Sequence, residues 1–276
     1  MRWVQGRRSR LYLLVLVAAC LALLGGCERS EPARAQREDR LVVFAAASLR
    51  DVFTAMGEDF KRSHAGVEVT FNFAGTQELR TQLEQGAAAD VFASADQRHM
   101  AELVKAQRAA NPAVFARNEP VIVVAKESAG AIRGLADLPA ADRIVIGTPE
   151  VPIGRYTLEI LDRASRSMGA DFRARVEAKV VSRELNVRQV LAKVRLGEAQ
   201  AGVVYRTDAQ AAQDGVSIVA IPPDINVIAE YPIAVVTGAA HPGLARAWVD
   251  LVLSEAGQSA LRRAGFLGPS GGGSGP

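Results

Sequence analysis

Short unbroken apolar runs recur along this chain, and a stretch with helical spacing follows most of them. Leu41 to Ala46 reads LVVFAA, as expected of a strand buried on both faces. Ser48 follows it, and then Leu49, Val52, Phe53, Met56 and Phe60 fall on one helical face. Val67, Val69, Phe71 and Phe73 alternate with other residues at strand spacing. Leu79 with Leu83, and Met100 with Leu103 and Val104, mark two further helices. Asp90 to Ala93, Val121 to Ala125, Ile144 to Ile146, Gly202 to Tyr205, Val216 to Ile221 and Ile233 to Val236 read as strands. Helical spacing returns at Tyr156, Ile160 and Leu161, at Val187, Val190, Leu191 and Val194, and at Leu244, Trp248, Leu251 and Val252. Alternation of this kind predicts an α/β fold with mostly parallel sheets over Leu41 to Leu267.

The two ends do not belong to that pattern. Arg2, Arg7, Arg8 and Arg10 precede the uncharged run from Leu11 to Leu24. The run is shorter than the ~20 residues of a membrane span and fits the apolar region of a secretory signal. Leu24-Gly25-Gly26-Cys27 resembles a bacterial lipobox, which implies cleavage before Cys27 and lipidation of its thiol. An ordinary secreted protein with a chance Cys, or an uncleaved anchor, are the competing readings. Residues 27–40 are polar and charged and read as a flexible linker; residues 268–276 (GPSGGGSGP) read as a flexible tail.

Removing the signal changes the charge and the cysteine chemistry. The full chain carries 33 Lys+Arg against 30 Asp+Glu; without the four signal arginines, 29 stand against 30, net −1. The balance gives no reason to expect nucleic acid as a partner, which requires a clustered basic surface. The only cysteines are Cys20, inside the signal, and Cys27. The mature domain therefore has no thiol for a disulfide, a zinc site or a nucleophile.

Enzyme signatures are missing as well. No GxxxxGK[ST] or GxGxxG motif occurs, and there is no GxSxG elbow between a strand and a helix. His64, His99 and His241 stand singly, without metal-ligand spacing, and read as surface residues. The sequence predicts no cofactor and no catalysis.

Small and hydroxyl residues gather where strands end and helices begin. Ala45-Ala46-Ala47-Ser48-Leu49 places a Ser at a helix start, where the plain reading is an N-cap worth ~1 kcal/mol. The alternative is that the free N–H groups and hydroxyl there face an anion. Phe73-Ala74-Gly75-Thr76 repeats the arrangement, with Gly75 permitting close approach to a ligand. Val151-Pro152-Ile153-Gly154 and Asn186-Val187-Arg188 open two more helices, and Gly202 to Tyr205 is a strand ending in a phenol. Arg155 and Arg188, beside these segments, read as solvated surface residues ahead of contributors to the local potential. Asp51 reads as a charge favoured by the helix dipole or as part of a capping box.

The order of these segments resembles the molybdate-binding proteins of ABC importers. AAASL at Ala45 to Leu49 and FAGTQEL at Phe73 to Leu79 are similar to that family's two first-lobe oxyanion loops. Gly86 to Asp96 (GAAADVFASAD) resembles its GAPADVFASAD signature, with Ala88 in place of Pro. Asp142 to Tyr156 resembles its G-x-PxxVPAGxY segment, with Ile153 replacing Ala. NVRQVL at Asn186 to Leu191, GVVYRTDA at Gly202 to Ala209 and EYPIAVV at Glu230 to Val236 resemble its later segments. The match covers nearly all of Leu41 to Leu267.

The resemblance implies a type II periplasmic-binding-protein fold: two α/β lobes with mainly parallel central sheets, joined by hinge strands. Lobe 1 would comprise residues 41–118 and 231–267, and lobe 2 residues 119–230. The chain would cross near Asn118 to Val121 and again near Glu230 to Ile233. Five ligand contacts are implied. Ser48 and Thr76 would give hydroxyls and amides, Ile153 and Val187 amides, and Tyr205 its phenol. The metal would enter only as the oxyanion, with no direct cation ligands. The expected ligand is molybdate, with tungstate inseparable by size and sulfate as the alternative. The expected partners are an ABC permease with its ATPase, and a membrane through the lipid anchor. The expected state is a monomer in the periplasm or at the cell surface. An exported hydrolase on the same scaffold and a sensor that has lost transport are the rival classes.

Overall fold

The computed structural model describes residues 39–270. Residues 1–38 and 271–276, and with them the signal segment, Cys27 and most of the linker, lie outside the described residues. The strands are β1 (Asp39–Ala46), β2 (Val67–Ala74), β3 (Val91–Ala93), β4 (Ala109–Asn118), β5 (Pro120–Ala125), β6 (Ile144–Gly147), β7 (Val180–Glu184), β8 (Ala201–Tyr205), β9 (Val216–Ala220) and β10 (Ala229–Val236). The helices are α1 (Arg50–Ser63), α2 (Thr76–Glu84), α3 (Gln97–Lys105), α4 (Pro152–Met168), α5 (Phe172–Glu177), α6 (Val187–Arg195), α7 (Arg206–Ala211), α8 (Pro242–Leu253) and α9 (Glu255–Arg263).

Two five-stranded sheets result, in the orders β2-β1-β3-β10-β4 and β7-β6-β8-β5-β9. Each is mixed. β1 pairs in parallel with β2 and β3, while β10 runs antiparallel to β3 and β4. β6 pairs in parallel with β7 and β8, while β5 runs antiparallel to β8 and β9. The antiparallel pairings belong to β10 and β5, the strands that enter each sheet from the other lobe. Parallel pairing is therefore confined to one half of each sheet.

The strand period of two sorts side chains between two cores. Leu41, Val43 and Ala45 of β1 enter the large apolar cluster, whereas Phe44 enters a second one with Leu79, Leu83, Phe92, Met100 and Leu103. In the large cluster Trp248 of α8 is fully buried, with the rings of Phe53, Phe60 and Phe71 at 5.4, 5.5 and 5.5 Å. Edge-on ring packing of this kind adds to area burial, so Trp248→Ala would cost about 3–5 kcal/mol.

The boundaries differ from the sequence reading at three places. β1 begins at Asp39, whose pairing with Val67 brings residues 39 and 40 out of the linker and into the sheet. Both are exposed, so no apolar pattern marked them. Gly268 and Ser270, assigned to the tail, accept hydrogen bonds from Arg117 at 2.9 and 2.6 Å. The second crossing between the sheets precedes Glu230. β10 starts at Ala229, opposite Asn118, so residues 221–228 make the crossing. The first crossing is the single residue Glu119 between β4 and β5.

Candidate functional site

The carboxyl ends of the parallel strands of both sheets meet at one small cavity of about 20 Å³. That is the scale of a single small polar molecule or ion. Ser48, Thr76, Ile153, Val187 and Tyr205 all line it. The sequence places these five up to 157 positions apart; β1, β2, β8 and the starts of α4 and α6 bring them together. Each is buried, from 1% exposure at Thr76, Ile153 and Tyr205 to 4% at Ser48 and Val187.

Ser48 does not cap a helix. It lies inside the 3-10 turn Ala47–Leu49, and α1 begins only at Arg50. Its Oγ is 3.0 Å from Oη of Tyr231 on β10. Burial and nearby carboxylate charge push the Tyr231 phenol well above its ordinary pKa, while hydrogen bonds to Ser48 and Asn118 oppose that rise. Asn118 is itself fixed, donating to Thr207 Oγ1 at 2.8 Å and accepting from the Glu119 N–H at 3.0 Å. Ser48 thus rests on a buried polar chain that reaches the first crossing at Glu119. No local pattern points to Tyr231, which is 183 positions away.

Thr76 is the first residue of α2, after Gly75. Its Oγ1 accepts from the Ala95 N–H at 3.2 Å, which leaves the hydroxyl proton to point elsewhere. Gly75 has an ordinary extended backbone, so its value lies in close approach. A Cβ there would stand 2.2 Å from the Leu185 carbonyl oxygen, which belongs to the other lobe. The glycine therefore admits the opposite lobe, where the sequence reading had it admit the ligand. Gln77 Nε2 donates to the same carbonyl at 2.7 Å.

Ile153 follows Pro152 at the start of α4, and Val187 opens α6 after Asn186, whose side chain accepts from the Gln189 N–H at 3.1 Å. First-turn amides of a helix have no acceptor within it, and the helix dipole adds partial positive charge. A Cβ on Gly154 would stand 2.0 Å from the Thr148 carbonyl oxygen, so glycine is what seats the start of α4 against the end of β6. Tyr205 ends β8, and its buried Oη has no hydrogen-bond partner among the described residues. Burial pushes its pKa well above the ordinary value, so it is a donor at neutral pH.

Among the described residues no charged one lines the cavity. Arg188 and Arg155 stand just outside it, partly exposed and facing carboxylates. Arg188 lies 2.6 Å from fully buried Asp208 and 2.6 Å from Asp51. Its pKa is raised: burial alone would lower it, and the two carboxylates outweigh that effect. Burial pushes Asp208 up to about 6, opposed by the Arg188 charge. Arg155 lies 3.6 Å from fully buried Asp96 and 3.7 Å from Glu159, and stacks on the Tyr156 ring at 4.3 Å. Asp51 makes no capping box; α1 has no side-chain cap. His99 is buried, at 3% exposure, with Nε2 2.9 Å from the Glu150 carbonyl oxygen, against the surface position expected of it. Burial lowers its pKa, which fits a neutral ring. Among the described residues no group of His, Cys, Asp and Glu could hold a metal ion, and no helix is long and apolar enough to cross a membrane.

What the arrangement offers, among the described residues, is a neutral nest of donors. Comparison with known proteins agrees. Residues 41–267 match the family model described as a bacterial extracellular solute-binding protein. The molybdate-binding protein ModA of Mycobacterium tuberculosis is 41% identical over 272 residues, covering 98% of this chain and 100% of that protein. The periplasmic molybdate-binding protein of Azotobacter vinelandii shares the fold at a TM-score of 0.73 and 18% identity, over 83% of this chain and 100% of that one. The sulfate-binding protein SubI of Mycobacterium tuberculosis does so at 0.74 and 21%, over 83% and 86%. The chain belongs to the bacterial extracellular solute-binding proteins, the transport family that takes in the ModA proteins, and it is a binding protein with a type II periplasmic-binding-protein fold and no enzymatic role.

Proposed function

We propose that this chain captures molybdate, and tungstate with it, in the interlobe cavity and presents it to an ABC permease. The observation that carries the reading is the buried Tyr205 hydroxyl without a partner, in a cavity that Ser48, Thr76, Ile153 and Val187 also line. A dianion leaving water needs its hydration replaced by fixed donors. Hydroxyls and helix-start amides do this without a counter-charge. The lining holds no carboxylate to accept a proton, which selects a fully deprotonated tetrahedral oxyanion over hydrogen phosphate. The lobes open to admit the anion and close upon it, and the closed form is what the permease reads. Lipidation at Cys27, outside the cytoplasm, would keep the loaded protein beside its partner as a monomer.

Sulfate is the second reading, favoured by the TM-score of 0.74 to a sulfate-binding protein. Calorimetric titration of the mature chain with molybdate, tungstate and sulfate separates the two. Tight one-to-one binding of the first two, with sulfate at least about a hundredfold weaker, is the expected result; each tenfold step is about 1.4 kcal/mol. Binding of sulfate alone would move the substrate, and binding of none would remove the function.

A further inference from the structure

Both arginines beside the cavity come from lobe 2, and both reach a carboxylate of lobe 1. Arg188 directly follows Val187, and Asp51 lies one turn beyond Ser48; their side chains meet at 2.6 Å. Arg155 lies two residues after Ile153, and Asp96 directly follows Ala95, which lines the cavity; they meet at 3.6 Å. Each pair thus ties a donor turn of one lobe to the edge of the cavity on the other. The lobe 1 carboxylates are held in place independently. Asp96 is fully buried and caps α3 by accepting from the His99 N–H at 2.9 Å. Its second oxygen has no hydrogen-bond partner among the described residues and lies 3.6 Å from Arg155. The lobe 2 side is also prearranged, since Asp208 holds Arg188 from within its own lobe.

We infer that Asp51–Arg188 and Asp96–Arg155 are a paired ionic clasp that forms as the lobes close, making Arg155 and Arg188 positioning residues for anion capture. The clasp has two effects. It adds attraction between the lobes that exists only in the closed state, which slows release. It also occupies both guanidinium groups with protein carboxylates, so that the cavity stays a site of neutral donors. The anion then gains nothing from net positive charge, and discrimination falls to the fit of hydrogen bonds.

The inference rests on the oxyanion-binding reading, and its test separates the two. Asp51→Asn and Asp96→Asn keep the size of each side chain, and Asn retains the capping of α3. Spin labels at Lys105 of lobe 1 and Glu198 of lobe 2, both exposed, report the interlobe distance in the mature chain with and without molybdate. Exchange of labelled against unlabelled molybdate reports release. The expected result is a longer interlobe distance in the ligand-free double variant than in the parent. Release should be about threefold faster for Asp51→Asn and about tenfold faster for Asp96→Asn. High salt should speed release from the parent and leave the double variant nearly unaffected, a response that a purely structural role would not produce. Asp51→Glu should restore slow release. Unchanged distances, with unchanged release wherever molybdate binds, would overturn the clasp. Failure of the parent to bind any oxyanion would overturn the functional reading, while the ligand-free distances would still decide the clasp.

Discussion

The two lobes share one strand order and differ in what they place at its ends. In each, a central strand (β1 or β6) has parallel neighbours on both sides and receives, one strand further on, an antiparallel strand from the other lobe. The chain leaving β1 presents Ser48, and the chain leaving β2 presents Thr76. At the corresponding ends of lobe 2, β6 leads to Ile153, β7 leads to Val187 and β8 ends at Tyr205. Lobe 1 therefore offers hydroxyl side chains, while two of the three lobe 2 positions are aliphatic and can offer only amides. The same topology can make a donor out of a side chain or out of bare backbone, and the two respond differently to mutation.

The sharpest break in that comparison is Gly75→Ala. The added Cβ would meet the Leu185 carbonyl oxygen at 2.2 Å, so closure is blocked and affinity should fall by at least about a hundredfold in a titration, with thermal stability nearly unchanged. Next come the side-chain donors. Tyr205→Phe and Ser48→Ala each remove a hydrogen bond to a charged ligand, and about 1.5–3 kcal/mol, or about ten- to a hundredfold in Kd, should be lost. An unchanged Kd for Tyr205→Phe would take Tyr205 out of the site.

A smaller effect is expected at Asp208. Its folded pKa of about 6 lies above the unfolded value near 3.9, so the folded state binds the extra proton between those values. Stability should fall as pH rises from about 4 to about 6 and level off above that. Denaturant unfolding of Asp208→Asn should lack this component, which is on the order of 3 kcal/mol in the parent. Smallest of all should be Ile153→Ala and Val187→Ala. If only their amides act, affinity changes by less than about threefold, and a loss as large as that of Ser48→Ala would end the distinction between the lobes.

The sequence revealed those parts of this design that leave a local mark. β1, β5, β6 and β8 carry unbroken apolar runs and were legible as strands. β4 and β7 were not, although the other two edge strands, β2 and β9, were. β4 carries Pro112, tolerated there because an edge strand can spare a donor, and β7 is only partly buried. The short helices α5 and α7 and the C-terminal α9 bury too few apolar residues to show a period. Ser48 and Thr76 could be singled out as hydroxyls at strand ends. Ile153 and Val187 could not, since an amide donor leaves no trace in its side chain; only the resemblance pointed to them. Tyr231, Asp96 and Asp208 are buried polar groups whose partners are remote in sequence or on another element, so a local pattern could not expose them.

The two crossings between the lobes are fastened to one another. Asn226, in the second, donates to the carbonyl oxygen of Pro120, at the end of the first, at 3.0 Å. Two strands joined in this way bend as one ribbon, and the one-residue crossing at Glu119 leaves that ribbon little length over which to distribute the bend. Such a joint resists partial angles: the lobes should exchange between two discrete poses instead of sliding through a continuum. A single-molecule record of the interlobe distance would then show two levels with abrupt jumps, and the ligand would change how long each level lasts without moving either one.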